Sequence, residues 1–133
     1  MIEISDLKVE YKNRDKKIIA IENVNFKINE GEICAIVGAS GGGKSTLLKV
    51  LAGIIKDYKG SVLINGEEID PRVHRIGFIP QDYGLVKWKT AEENILLSAK
   101  IKDGKKGIDR DYYEEILKKL KIGEIRDRYP GEL

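Results

Sequence analysis

The eight residues Gly38-Ala39-Ser40-Gly41-Gly42-Gly43-Lys44-Ser45 constrain this chain more than any other stretch. They fill every fixed position of G-x-x-x-x-G-K-[ST], a glycine-rich phosphate loop. The flanks suit that reading. Residues 33–37 form a short, continuously apolar run, predicted to be a central parallel strand. Residues 45–52 carry Leu47, Leu48, Val50 and Leu51 and predict a buried helix, stopped by Gly53. Each residue type has a physical reason. The glycines let the loop curl so that successive N–H groups face inward on an anion. A helix starting near Lys44 adds unpaired N–H groups and the positive end of its dipole. Lys44 is long enough to reach β- and γ-phosphates, and Ser45 offers Mg²⁺ a hard oxygen ligand. The expected ligand of residues Gly38 to Thr46 is therefore ATP or a close relative, with Mg²⁺.

The rest of the chain predicts a mixed α/β layout. Residues 2–5 and 7–11 alternate apolar and polar, giving a half-buried antiparallel strand. Residues 12–17 read as a charged turn. Alternation resumes over 18–28 at Val24, Phe26 and Ile28, and Glu30-Gly31 makes a turn. Residues 60–66 are a strand between glycines, and 76–79 a short apolar strand ending at Pro80-Gln81. The character changes after Gly84. Thr90-Ala91-Glu92-Glu93 is a capping box that starts a helix running to about Lys100. Residues 102–107 form a polar loop. Asp111 caps a second helix, with Tyr113, Ile116, Leu117 and Leu120 on one face and Gly123 just past its end.

Composition excludes some classes. Lys plus Arg total 24 against 22 Asp plus Glu, so the net charge is +2, an excess that argues neither for nor against nucleic acid, and no nucleic-acid partner is expected. No stretch approaches the roughly 18 apolar residues of a membrane span. The start, Met1-Ile2-Glu3-Ile4, has neither the basic nor the apolar region of a signal peptide. The single cysteine, Cys34, lies in the apolar run and is expected to be a small core residue. His74 is expected at the surface.

A loop of this kind serves kinases, GTPases and ATPases alike. Residues 38–53, from the loop through Thr46-Leu47-Leu48 to Ala52-Gly53, resemble those of ATP-binding-cassette (ABC) transporter ATPases. Further pieces agree in order. Leu7-Lys8-Val9-Glu10-Tyr11 resembles the family's opening strand. Ile28-Asn29-Glu30-Gly31-Glu32 is similar to the turn before the central strand, and 60–66 to the strand and turn after the loop helix. Ile76-Gly77-Phe78-Ile79-Pro80-Gln81 resembles the strand ending in the Q-loop glutamine, and Tyr129-Pro130-Gly131-Glu132-Leu133 the approach to the LSGGQ signature.

That resemblance implies a phosphate-loop NTPase fold of the ABC type. It divides into an antiparallel β subdomain with a partial parallel-sheet core over 1–84 and the start of a helical subdomain over 85–133. It implies Tyr11 as the platform that stacks on adenine, and Lys44 and Gln81 as the catalytic pair. Ser45 and Gln81 would hold Mg²⁺. It further implies a paired ATPase subunit, transmembrane permease partners docked on the segment after Gln81, and a place on the cytoplasmic face of the membrane. Gly84-Leu85-Val86-Lys87-Trp88-Lys89-Thr90 is similar to the GLLPW-T segment of importers for nitrate, sulfonates and taurine, with Val86 and Lys87 replacing its Leu-Pro pair.

The sequence also departs from the family. Four apolar residues followed by Asp-Glu, the second acidic motif, occur nowhere in it. The signature is present only as its first letter, Leu133, so a truncated cassette is expected, with uncovered apolar surface and a tendency to self-associate. Poor or absent hydrolysis follows, and a nucleotide-binding module without transport or turnover is the alternative. A small-molecule kinase has no supporting feature. Asp57-Tyr58-Lys59-Gly60 fits the D-x-x-G of GTPases, but no apolar strand leads into it. Lys118, Lys119 and Lys121 lie late in a helix, where cations complement the dipole, and read as a solvated face.

Overall fold

A computed structural model describes residues 1–13, 16–103 and 109–133. The chain divides into two compact units, Met1–Phe78 and Ile79–Leu133.

The first unit is a four-stranded antiparallel sheet with one helix on it. Strands β1 (Ile2–Asn13), β2 (Lys16–Ile28), β3 (Lys59–Ile64) and β4 (Glu67–Glu68) lie in the order β2-β1-β3-β4. Alternation explains β1 only in two pieces. Ile4 and Leu7 are both buried, three residues apart, although side chains on one face of a strand recur every two. The register shows how. Ile4 pairs with Phe26 and Leu7 with Val24, so β1 carries one extra residue between them. That bulge sits at Asp6, with φ 51°, its N–H donating to Asn25 Oδ1 at 2.7 Å. Gly60 lets β3 approach it. A Cβ there would stand 2.4 Å from the carbonyl oxygens of Ser5 and Asp6. The bulge thus returns Leu7 and Val9 to the face that Ile4 began.

Helix α1 (Lys44–Leu51) covers that face with Leu47 and Val50, one turn apart, against Ile4, Leu7, Val9, Ile21 and Val62. Its end is a Schellman motif. Ile54 N–H reaches Lys49 O at 2.9 Å and Gly53 N–H reaches Val50 O at 2.8 Å, with Gly53 left-handed at φ 67°. β3 turns into β4 through Asn65-Gly66, both at positive φ, as a two-residue hairpin requires. Beyond β4, Asp70 takes a bidentate contact from Arg72, which holds its carboxyl down at about 2.

Six expectations are corrected here. The charged turn at 12–17 is shorter, because Lys12 pairs with Lys17 and Asn13 with Lys16. Neither 33–37 nor 76–79 is a strand. A strand needs a neighbour for its N–H and C=O groups, and among the described residues neither run has one, so the described sheet is wholly antiparallel. Ile33 and Val37 are 99% and 88% exposed, and Cys34 is exposed rather than a core residue. For the same reason α1 is one-sided, with Leu48 exposed. His74 is not a surface side chain: its Nδ1 accepts from Asp70 N–H at 3.2 Å, and the ring is half-buried.

The second unit holds α2 (Ala91–Asp103) and α3 (Arg110–Leu120), then single 3₁₀ turns at Gly123–Ile125 and Pro130–Glu132. The capping box forms as expected. Glu93 N–H donates to Thr90 Oγ1 at 3.2 Å, and Thr90 N–H to Glu93 Oε2 at 3.0 Å, which lowers the Glu93 carboxyl. The next two donors of α2 go to the backbone, Ala91 N–H to Arg128 O and Glu92 N–H to Arg126 O. Helix α3 is capped by Asp109, not Asp111: Tyr112 N–H donates to Asp109 Oδ1 at 3.1 Å, which leaves Asp111 in the first turn. Its far end is Lys121 in the left-handed region, two residues before Gly123. Leu117 is the buried anchor, while Leu120 is exposed. Of the polar loop at 102–107, Lys102 and Asp103 belong to α2 and 104–107 lie outside the described residues. Thr90→Ala should cost about 1 kcal/mol of stability, read as a lower urea midpoint, because Glu93 N–H then loses its acceptor.

Candidate functional site

The glycine loop is built onto the sheet by one close approach. Gly43, at φ 81°, passes so near β2 that a Cβ would lie 2.3 Å from Ala20 O and 3.1 Å from Ile21 Cγ1. Only glycine fits both the backbone angle and the space. Gly42 N–H closes a turn onto Ala39 O at 3.1 Å, and Gly41 takes the left-handed angle that bends the loop back.

Gly43 is also the N-cap of α1, and it brings no side chain to that role. The first intrahelical bond runs from Leu47 N–H to Gly43 O at 2.9 Å. The N–H groups of Lys44, Ser45 and Thr46 therefore precede the helical ladder. No acidic residue stands in the first turn; a lysine does. A cation at a helix N-terminus opposes the dipole. The Lys44 ammonium settles instead on the loop itself, donating to Gly38 O at 2.9 Å and Ala39 O at 2.6 Å. So positive charge and free donors converge on one small volume, a geometry suited to a multiply charged anion.

Ser45 is exposed at the helix start, free to offer its hydroxyl outward. Thr46 is half-buried, and its Oγ1 lies 3.2 Å from the hydroxyl of Tyr11, near the open end of β1. The structure thus brings Tyr11 together with the loop helix, and Tyr11 remains 42% exposed. Gln81 belongs to the second unit, in an exposed turn where Tyr83 N–H reaches Pro80 O at 3.0 Å. The segment that follows is held by a residue the sequence reading passed over. Asn94 accepts from Val86 N–H at 2.8 Å and donates to the carbonyls of Val86, Lys89 and Thr90 at 3.1, 3.1 and 2.9 Å. Leu85 and Trp88 are left exposed on the clamped segment. An asparagine in the first turn of a helix was the available signal, because its amide satisfies loop groups that a helix leaves behind.

Behind the loop, a cavity of about 600 Å³ lies between β2 and residues 34–38, walled by Ile21, Val24, Phe26, Ile36 and Leu47. Its walls are mostly apolar, with Glu22, Lys27, Lys44 and the loop glycines also lining it, and they continue the uncovered face of 33–37. Among the described residues no group of three or more His, Cys, Asp or Glu could hold a metal ion. A hydroxyl such as Ser45 suits Mg²⁺ that arrives already bound to phosphate oxygens.

An antiparallel sheet, a glycine loop and a cationic, uncapped helix start define a phosphate-loop nucleotide-binding domain of α/β class. More narrowly, the chain belongs to the ABC transporter family, whose model matches residues 21–133. It is 33% identical over 132 residues to the aliphatic sulfonates import ATP-binding protein SsuB of Bacillus cereus, covering 99% of this chain and 51% of that protein. It is 34% identical to the bacitracin export ATP-binding protein BceA of Halalkalibacterium halodurans, covering 100% of this chain and 56% of that one. Among solved structures it is similar to a dimeric ATP-binding cassette in a post-hydrolysis state bound to ADP and Pi. There the TM-score is 0.85 at 30% identity, covering all of this chain and 63% of that chain. The chain spans about half the length of the curated relatives it matches. No helix among the described residues is long and apolar enough to cross a membrane.

Proposed function

We propose that this chain is the ATP-binding part of an ABC transporter ATPase. The observation that carries the reading is Lys44. An ammonium at a bare helix start, held among the described residues by two loop carbonyls, is well placed to exchange those bonds for phosphate oxygens. Residues 38–46 then surround the phosphate chain, with backbone N–H groups from the loop and the first turn of α1. Ser45 supplies one oxygen to Mg²⁺, which would neutralise phosphate charge when bound. The exposed ring of Tyr11 takes the adenine by stacking. We assign Gln81 to the γ-phosphate and Mg²⁺, and the exposed segment that follows it, with Leu85 and Trp88, to the permease subunits. The parent assembly pairs two such ATPase subunits on the cytoplasmic face of a membrane. Likeness to the sulfonate-import subunits accords with the Gly84–Thr90 resemblance, yet an export subunit is 34% identical against 33% for the import subunit. We therefore place cargo choice in the membrane partners and the shared chemistry in the nucleotide site.

A second reading is favoured by one observation, that no run of four apolar residues followed by Asp-Glu occurs in these 133 residues. It makes the chain a module that binds nucleotide without turning it over. Positioning of water and charge around the γ-phosphate is most of phosphoryl-transfer catalysis, so we expect hydrolysis well below an ordinary rate of about one per second. Calorimetric titration of the folded chain with Mg·ATP tests the binding, and a steady-state assay of phosphate release separates the readings. Binding with ordinary turnover supports the ATPase; binding without it supports the module. Folded protein that takes up no Mg·ATP removes both.

A further inference from the structure

Tyr11 has two ends, and only its ring is used by the reading above. Its hydroxyl lies 3.2 Å from Thr46 Oγ1. Thr46 stands in the first turn of α1, one residue before the first intrahelical bond, beside the converging donors of the loop. Either hydroxyl can be the donor of this bond. An anion at the loop removes that freedom. A phosphate oxygen accepts only, so a Thr46 hydroxyl that donates to it must turn its lone pairs to Tyr11, and Tyr11 must then donate. The result is a chain of two hydrogen bonds in one direction, Tyr11 to Thr46 to phosphate, in which each bond polarises the next.

We propose that Tyr11 is a positioning residue for the phosphates as well as a platform for the base, acting on them through Thr46. This rests on the nucleotide reading for its ligand, but the hydroxyl's part does not require adenine. One side chain thereby joins the two ends of the ligand. Phosphate capture sets the direction of the Tyr11 hydroxyl and fixes the ring before the base settles on it, which lessens the ordering cost of stacking. A tyrosine rather than a phenylalanine at this position has a use that stacking alone does not explain.

The test uses two probes, Mg·ATP and Mg·tripolyphosphate, the second having no base. Their affinities are measured by calorimetry for the parent chain, Tyr11→Phe, Tyr11→Ala, Thr46→Val and the double variant Tyr11→Phe with Thr46→Val. Circular dichroism and urea midpoints monitor folding; the ring is exposed enough that Tyr11→Phe should leave both unchanged. The expected result is a loss of about two- to tenfold for Tyr11→Phe with both ligands, because the Thr46 hydroxyl is then no longer held and polarised towards the phosphate. In the double variant Tyr11→Phe should add nothing to Thr46→Val, because the bond acts through Thr46. Tyr11→Ala should cost further affinity for Mg·ATP but not for Mg·tripolyphosphate. Tyr11→Phe matching the parent with Mg·tripolyphosphate overturns the proposal and leaves the base platform standing. Additive losses in the double variant also overturn it. A parent chain that binds neither probe overturns it together with the nucleotide reading.

Discussion

Lys44→Ala lowers the affinity for Mg·ATP by about tenfold to a hundredfold, the scale of a lost hydrogen-bonded charge. Two effects act in opposite directions and their sizes decide the outcome. In the structure the ammonium donates to Gly38 O and Ala39 O, so the parent gives up two bonds when phosphate arrives. The variant has none to give up. Those bonds already carry the ammonium's charge but end on neutral carbonyls, whereas a phosphate oxygen adds an opposite charge and so a direct ionic attraction. The exchange therefore favours binding, and its loss dominates. Lys44→Arg should recover only part of the affinity, because a planar guanidinium cannot replace a compact ammonium in a tight loop. Equal affinities for parent and Lys44→Ala, measured side by side on folded protein, would remove the loop from the binding site.

Gly43→Ala should strongly destabilise the first unit through a single added atom. The added Cβ meets a backbone carbonyl, Ala20 O, at 2.3 Å, and the residue would hold φ 81°. Neither the carbonyl nor the angle can yield without moving α1 away from β2. Strain of that kind, with a displaced helix, costs about 2–4 kcal/mol. The urea midpoint should fall by roughly 1–2 M on an ordinary slope for a domain of this size. Gly41→Ala is the control. It has a similar angle, φ 79°, but nothing within 4 Å of the added atom, so only the conformational penalty of about 1 kcal/mol remains. Equal midpoints for the two variants would mean that the approach of Gly43 to β2 is not a real constraint.

The parts of this molecule that local chemistry determines could be read in advance. The glycine loop, the Thr90–Glu93 capping box and the stop at Gly53 each depend on residues within four or five positions, and each formed where its residues stood. The alternation in β1 was legible as two pieces, but the bulge at Asp6 that joins them was not. It depends on Asn25 and Gly60, far away in sequence. Asp111 looked like a cap because aspartate caps helices; Asp109 had the same chemistry one frame earlier, and backbone φ and ψ decided between them. At 33–37 the apolar run was visible, but a parallel strand depends on neighbours that no run can specify for itself. Within the candidate site, the turn of the loop and the start of α1 were legible, but the strand expected ahead of them was not there. The tie between Tyr11 and Thr46 was not, since it joins residues 35 positions apart through a single hydroxyl pair.

The exposed position of Cys34 has a practical consequence. The only thiol in the chain lies in the uncovered apolar run, four residues ahead of the glycine loop. A maleimide dye attached there carries one label per molecule with no engineering, in an exposed apolar segment. Its reaction rate and its emission colour together become a meter of how much of that face is dry, read in the unaltered protein while nucleotide or other polypeptides are added.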